Sequence, residues 1–143
     1  MINPQQVEFQ VEARHKVFLI LWFALLVSVM TLLVLALVAG GKGLPNPTLS
    51  YALLGVGSAI VLVSFLLKQT LAQKAITNND IAALQSAQII ALALCESAAV
   101  FGVLDRFLTG SQTSWCLFAI AAIGILLHFP KKEQIRAALY KQF

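Results

Sequence analysis

The feature that most constrains this chain is a long uncharged apolar run near its beginning. The run extends from Val17 to Ala39 and contains no Asp, Glu, Lys or Arg. At about 1.5 Å per residue, a helix of this length crosses a hydrocarbon layer roughly 30 Å thick. The run is too long for the apolar core of a signal peptide, and no small-residue cleavage site ends it. The sequence therefore predicts a retained membrane-spanning helix.

Three further apolar segments predict an all-α polytopic membrane protein, a bundle of four transmembrane helices. The hydrophobic fraction is 59% and the charged fraction is 11%, whereas a soluble domain carries about 25% charged residues. Asn79 or Asp80 is suited to be the N-cap of the third helix. We expect a single membrane domain over residues 1–143, with spans at about 17–39, 49–68, 80–106 and 111–129.

Basic residues are concentrated on one side of the predicted spans. On that side lie Arg14, Lys16, Lys68, Lys74, Lys131, Lys132, Arg136 and Lys141, and on the other lie Lys42 and Arg106. The positive-inside rule then places both termini in the cytoplasm. Residues 130–143 are expected to form an amphipathic cytoplasmic tail, either on the membrane surface or in solvent. The charge pattern fits a bacterial inner membrane.

The sequence offers no pattern for catalysis, for a metal or other cofactor, or for nucleic-acid binding. It has no Ser/His/Asp set, no phosphate-binding loop and no pair of carboxylates, so we expect no enzymatic activity. Cys95 and Cys116 show no metal-ligand spacing, and neither do His15 and His128. The basic residues flank apolar segments, which favours contact with the lipid bilayer over nucleic acid.

Glu96 is the residue that points most directly to a function. It lies in the middle of the third apolar segment, in the stretch ALALCESAAVFGVL at residues 91–104. A carboxylate is costly at mid-membrane, so such a group tends to be neutral in lipid and ionised beside a polar path. A group that alternates between these forms carries a proton. We therefore expect an ion-binding site at Glu96, with the hydroxyl of Ser97 beside it.

Two glutamines precede Glu96 on the same predicted helix. Gln85 and Gln88 lie between the cytoplasmic end and the carboxyl, and their amides are candidates for a polar path. The alternative is that they hydrogen-bond to neighbouring helices. Asp105 and Arg106 are adjacent at the far end of the helix, where we expect a solvated helix end.

Small residues line the segments around Glu96 and predict close helix packing. On the third segment they are Cys95, Ala98, Ala99 and Gly102, and on the second they are Gly55, Gly57 and Ala59. Small residues at a spacing of three or four let two helix backbones approach each other. The second and third segments are therefore predicted to pack as a hairpin, joined by a polar connection from about Lys68 to Asp80.

The stretch from about residue 50 to residue 105 resembles the proteolipid, or c, subunit of rotary ATP synthases. That family carries a carboxylate followed by small residues, an aliphatic residue, an aromatic residue and often a glycine, matched by ESAAVFG from Glu96 to Gly102. Its preceding helix is glycine-rich, as in GVGSA at residues 55–59. The resemblance implies a proton-carrying Glu96 and assembly into a homo-oligomer or with other membrane subunits.

The chain also departs from the family pattern. The family's Arg-Gln-Pro loop is replaced by AITNND at residues 75–80, and one further helix flanks the hairpin on each side. A sodium site in the family needs additional oxygens, and the second segment offers only Ser58 and Ser64 near the right depth. The resemblance therefore favours a proton over sodium at Glu96.

Two other functions remain open. A structural accessory subunit of a larger membrane complex would use Glu96 as a buried hydrogen-bonding group and would transport nothing itself. A small proton-coupled exporter acting as a dimer would also have four short helices and one membrane carboxylate. Known exporters of that kind carry the carboxylate in the first helix, and the first segment here has none.

Overall fold

The computed structural model describes residues 4–41 and 43–140. The described residues form five helices and no strand: α1 Pro4–Ala39, α2 Pro47–Thr77, α3 Ile81–Thr109, α4 Ser114–Leu127 and α5 Lys132–Tyr140. Lys42, Lys141 and the last residues of the predicted tail lie outside the described residues.

The all-α membrane architecture predicted from the sequence is confirmed. Helices α1, α2 and α3 are each long and apolar enough to cross a membrane. The pair α4 and α5, bent by 47°, makes a fourth span if the two are counted as one. The described residues therefore hold three continuous candidate spans, and a fourth, broken one only if α4 and α5 are counted together.

The helices α1 and α2 are longer than the predicted spans. Helix α1 begins at Pro4 rather than near Val17, and α2 continues to Thr77 rather than ending at Lys68. Leu, Ala, Gln and Lys, which favour helix, dominate the added part of α2. The expected polar connection from Lys68 to Asp80 is thus reduced to residues 78–80 between the two helices.

The ends of α3 are fixed by local hydrogen bonds. The Asp80 side chain accepts from the Ala83 amide at 2.9 Å, which confirms Asp80 as the N-cap. At the other end, Gly110 takes the left-handed conformation with φ 64°, which ends the helix. A connection of only a few residues then turns the chain into α4 at Ser114.

Helix α3 is the centre of the bundle, because it packs against each of the other four helices. Among the described residues, the backbones of α1 and α2 do not approach each other closely. The main core joins α3 to α1, α2 and α4. Its buried members include Val29, Val61, Leu92, Ala98 and Phe118.

The two ends of the bundle differ. One end, here called the terminal end, carries the start of α1, the α2–α3 connection and α5. The other, here called the loop end, carries the α1–α2 and α3–α4 connections. At the terminal end a second core extends the bundle beyond the apolar spans.

Helix α5 belongs to this second core. Its residues Ile135, Ala138 and Leu139 are buried together with Val7 and Val11 of α1. The exposed residues Arg136 and Glu8 form an ion pair at 3.0 Å across the same two helices. The apolar face of α5 is buried on the protein, whereas the tail was expected on the membrane surface or in solvent.

Helix α4 is too short to cross a bilayer alone. Its 14 residues extend about 21 Å. It ends at Leu127, ahead of the limit of 129 predicted from hydropathy, and Pro130 follows. Proline lacks an amide hydrogen and disfavours helical geometry in the residue before it, which explains the break.

Candidate membrane carboxyl site

Glu96 lies at the seam between α3 and α1, near the middle of the spans. It is eight residues from Gln88 and nine from Asp105, so about 12 to 14 Å of helix separates it from the polar groups at either end. The Ser28 hydroxyl of α1 donates a hydrogen bond to the Glu96 carboxyl oxygen Oε1. The side chain is half-buried, and its helix-surface neighbours Ala93 and Val100 are exposed. The carboxyl therefore lies at the edge of the bundle rather than in its core.

Ser97 does not hydrogen-bond to Glu96. Its hydroxyl donates to the backbone carbonyl of Ala93 at 3.0 Å, within its own helix. The hydroxyl on the Glu96 carboxyl comes instead from α1, a helix to which the sequence analysis assigned no part in the site. Ser28 could have been noticed, because Ser28 and Thr31 are the only hydroxyl side chains in the apolar run from Val17 to Ala39.

The two glutamines proposed as a polar path do not form one, and they differ in burial. Gln88 is buried, and its amide nitrogen donates to the His128 carbonyl at 2.6 Å. Gln85 is half-buried near the terminal end of α3. Between Gln88 and Glu96 on the same helix lies Leu92, which is fully buried. Along this face of α3, the described chain has no continuous row of polar side chains leading to Glu96.

The end of α4 is held by side chains from the other long helices. A helix end leaves backbone carbonyls without partners, and burying them unpaired costs free energy. Lys68 of α2 donates to the His128 carbonyl at 3.3 Å, in addition to Gln88. From α1, Trp22 donates to the Ile125 carbonyl at 2.7 Å, and His15 lies 3.3 Å from the Pro130 carbonyl.

His128 itself is fully buried at this break. Its ring nitrogen Nδ1 lies 2.6 Å from the Gly124 carbonyl, which can only accept, so Nδ1 carries the hydrogen. Ser64 lies 3.4 Å from Nε2, and the Phe65 ring packs against the imidazole with centroids 4.3 Å apart. His128 is the C-cap of α4, and its side chain packs inside the bundle.

A second carboxyl, that of Asp105, is fully buried at the loop end. Its Oδ1 accepts from Ser50 of α2 at 2.6 Å and lies 2.8 Å from the Thr109 hydroxyl, and its Oδ2 accepts from Thr113 at 2.7 Å. Three segments of the chain thus converge on one side chain. The expectation of a solvated helix end at Asp105 is wrong, because these hydroxyls replace water around the carboxyl.

Arg106 points away from Asp105. Its guanidinium lies 5.3 Å from the ring centre of Trp115 and donates to the Gly110 carbonyl at 3.0 Å. Neighbouring positions on a helix do not face each other, which explains why the two opposite charges do not pair. The Arg106 side chain instead ties the end of α3 to the start of α4.

The small residues divide into a buried and an exposed set. On α3, Cys95, Ala98, Ala99 and Gly102 are all buried. A Cβ added at Gly102 would lie 3.2 to 3.3 Å from Phe118 and Leu117 of α4, so part of this stripe faces α4 as well as α2. On α2, Gly57 is buried beside Leu117 and Ala98.

Gly55 and Ala59 lie on the outside of α2. A Cβ added at Gly55 would meet no atom within 4 Å, and Ala59 is exposed. The predicted packing register of α2 therefore does not hold within this chain. The helix turns Gly57, Val61 and Ser64 inward instead.

Comparison of the chain with family models, with curated proteins and with solved structures found no match.

Proposed function

We propose that this chain is a proteolipid-like integral membrane subunit in which Glu96 carries a proton. The observation that supports this most directly is the position of the carboxyl. It is half-buried near mid-span at the edge of the bundle, and its one hydrogen-bond partner among the described side chains is the Ser28 hydroxyl. No described cation neutralises it, so protonation is its way of becoming neutral in lipid.

The Ser28 hydroxyl suits both forms of a proton-carrying group. A hydroxyl donates to an ionised carboxylate and accepts from a protonated carboxylic acid. The side chain of Glu96 therefore keeps a partner in either state without moving to another helix. A positively charged partner would instead hold the carboxylate permanently ionised.

Access to Glu96 is supplied by a neighbouring subunit in this proposal. The buried Leu92 closes the route from Gln88 inside the chain, whereas Ala93 and Val100 leave the carboxyl open at the side. A second copy of the chain, or another membrane subunit, would pack against this side and bring polar groups to it. The exposed Gly55 and Ala59 provide a further surface for close helix packing.

The α2–α3 hairpin supports the proteolipid comparison, since these two helices form the most extensive helix pair. The basic residues gather at the terminal end, so we place that end and both chain termini in the cytoplasm of a bacterial inner membrane. Helix α1 is an addition to the proteolipid-like hairpin, and its Ser28 covers one side of Glu96.

Labelling with dicyclohexylcarbodiimide tests the proposal, because this reagent modifies a protonated carboxyl in an apolar site. We expect the purified protein to be labelled at Glu96 and not at Asp105, which is sealed by hydroxyls. Labelling should fall as the pH is raised, and sodium should not protect. Peptide mass analysis across a pH series, with and without sodium, measures this.

Two variants serve as controls. Glu96→Gln should remove the label while leaving the helical content unchanged. Ser28→Ala should still be labelled at Glu96, because the variant removes the hydrogen-bond partner but keeps the carboxyl. Protection by sodium would assign the site to sodium. An unlabelled Glu96 in folded protein at every pH would contradict the proton-carrying role.

A structural accessory subunit is the second candidate, and the Ser28–Glu96 bond itself favours it. That bond ties α1 to α3, which is what a buried hydrogen-bonding group would do in a scaffold. Under this reading Glu96→Gln leaves the assembly and its activity intact, whereas Gly102→Leu disrupts the assembly by displacing Phe118 and Leu117. The proton-carrying proposal requires the opposite result for Glu96→Gln.

A further inference from the structure

The break between α4 and α5 leaves a groove at the terminal end of the bundle, on the side of α2. Its volume is about 160 Å³, and its lining includes Lys68, Lys131, Gln134, Leu127 and Phe129. No Asp or Glu is among its lining residues. The groove therefore places two cationic side chains beside both polar amides and the apolar side chains of Leu127 and Phe129.

The groove lies where a phospholipid headgroup would be. The apolar run of α4 ends at Leu127, and the basic pair Lys131 and Lys132 follows within a few residues. Leu127 and Phe129 are 66% and 47% exposed, so they present apolar surface outward at the same depth. Polar groups on one side and exposed apolar groups on the other match the two parts of a lipid molecule.

The two lysines favour an anion between them. Both line the same groove, so their like charges repel each other. Lys68 donates one hydrogen bond to the His128 carbonyl, which leaves two of its three hydrogens for another acceptor. The Lys131 ammonium has no hydrogen-bond or ion-pair partner within residues 4–41 and 43–140. A bound phosphate would relieve the repulsion and accept from both.

We propose that this groove binds the phosphate headgroup of an anionic phospholipid, held between Lys68 and Lys131, with an acyl chain along Leu127 and Phe129. Basic pockets between membrane helices recognise anionic lipid headgroups in this way. The bound lipid would fasten the α4–α5 break to α2. The proposal is independent of any role of Glu96, because the groove is at the terminal end and Glu96 is at mid-span.

Lipid binding to the detergent-purified protein, measured by native mass spectrometry, tests the proposal. Phosphatidylglycerol should bind at one saturable site, and phosphatidylcholine should not compete for it. Lys131→Gln should weaken phosphatidylglycerol binding about fivefold, and the double variant with Lys68→Gln should weaken it about 25-fold. Lys131 is exposed and caps no carbonyl, so its variant folds even if the Lys68 variant does not.

Lys74→Gln is the matched control, because Lys74 is an exposed lysine on α2 at the same end but outside the groove. It should leave phosphatidylglycerol binding unchanged. Equal weakening by Lys74→Gln would show a diffuse attraction to the basic surface and would overturn the proposal. Displacement of the lipid by millimolar inorganic phosphate would also overturn it, because the site would then recognise free phosphate.

Discussion

Replacing Asp105 by alanine is expected to lower the free energy of unfolding by about 2 to 3 kcal/mol. The substitution removes the acceptor that Ser50, Thr109 and Thr113 share at the loop end. These hydroxyls come from α2, from α3 and from the α3–α4 connection, and Asp105 is fully buried. Water cannot readily replace the lost acceptor there, so Ser50 and Thr109 are left with each other and the Asp105 backbone carbonyl as partners, and Thr113 with Ser111.

Unfolding of the detergent-solubilised protein in a denaturing-detergent titration measures this loss, with Trp22 and Trp115 as fluorescent reporters of packing. Asp105→Asn should cost less, because the amide keeps one acceptor oxygen and its nitrogen can donate to Thr113. Glu12→Ala removes an exposed carboxyl and should change the stability by no more than about 0.5 kcal/mol. An Asp105→Ala protein as stable as the Glu12→Ala protein would show that the hydroxyl network contributes little.

Replacing Gly124 by leucine is expected to destabilise the bundle by at least about 2 kcal/mol. A Cβ at this position of α4 would lie 2.9 Å from the Cys95 sulfur and 3.0 Å from a Val61 methyl carbon. Cys95 and Val61 are both buried in the main core, so neither can move away without displacing its own neighbours. The larger leucine side chain would force α4 away from α2 and α3.

Gly55→Leu is the matched control, because it is the same substitution within another apolar helix, α2. Gly55 lies on the outside of α2 with no atom within 4 Å of an added Cβ. Its variant should unfold at the same denaturant concentration as wild type or a higher one, because glycine is a poor helix former. Equal destabilisation by both substitutions would mean that Gly55 is packed in the folded protein and that the exposed face of α2 is covered.

The class of fold was predictable because hydrophobicity alone sets it. Four apolar segments and 11% charged residues leave few architectures other than a helical membrane bundle. The N-cap at Asp80 was also predictable, because the capping oxygen and the Ala83 amide that donates to it are only three residues apart. The length of α2 was not predictable from hydropathy, because its last part is polar. That part is stabilised as a helix by burial of Ala72 and Ala75 in the second core.

The packing register of α2 was not determined by its sequence. Small residues occur at Gly55, Gly57, Ser58 and Ala59, so more than one face of α2 could approach α3. The inward face is decided by α4, whose Leu117 side chain occupies the space that a Cβ at Gly57 would need. A pattern read from two segments could not include the shape of a third.

The candidate site was predictable in part. An isolated glutamate in an apolar run is evident from the sequence. Its hydrogen-bond partner is not, because Ser28 is 68 residues away along the chain. Asp105 was misread because an Asp-Arg pair at a helix end usually faces water. Its burial depends on Ser50, which is 55 residues distant, and on hydroxyls beyond the end of α3.

The order of the helices has a consequence for biosynthesis. A nascent chain is made from its N-terminus, so α1 and α2 enter the membrane before α3. Ser28 and Ser50, the hydroxyl partners that these two helices supply, are therefore present when the carboxyls of Glu96 and Asp105 emerge from the ribosome. Helix α3, which carries both carboxyls, is therefore the last of the three long helices to enter the membrane, and the hydroxyls that bond to its carboxyls are already in place. The α2–α3 hairpin expressed without α1 would lack the Ser28 hydroxyl that bonds to the Glu96 carboxyl.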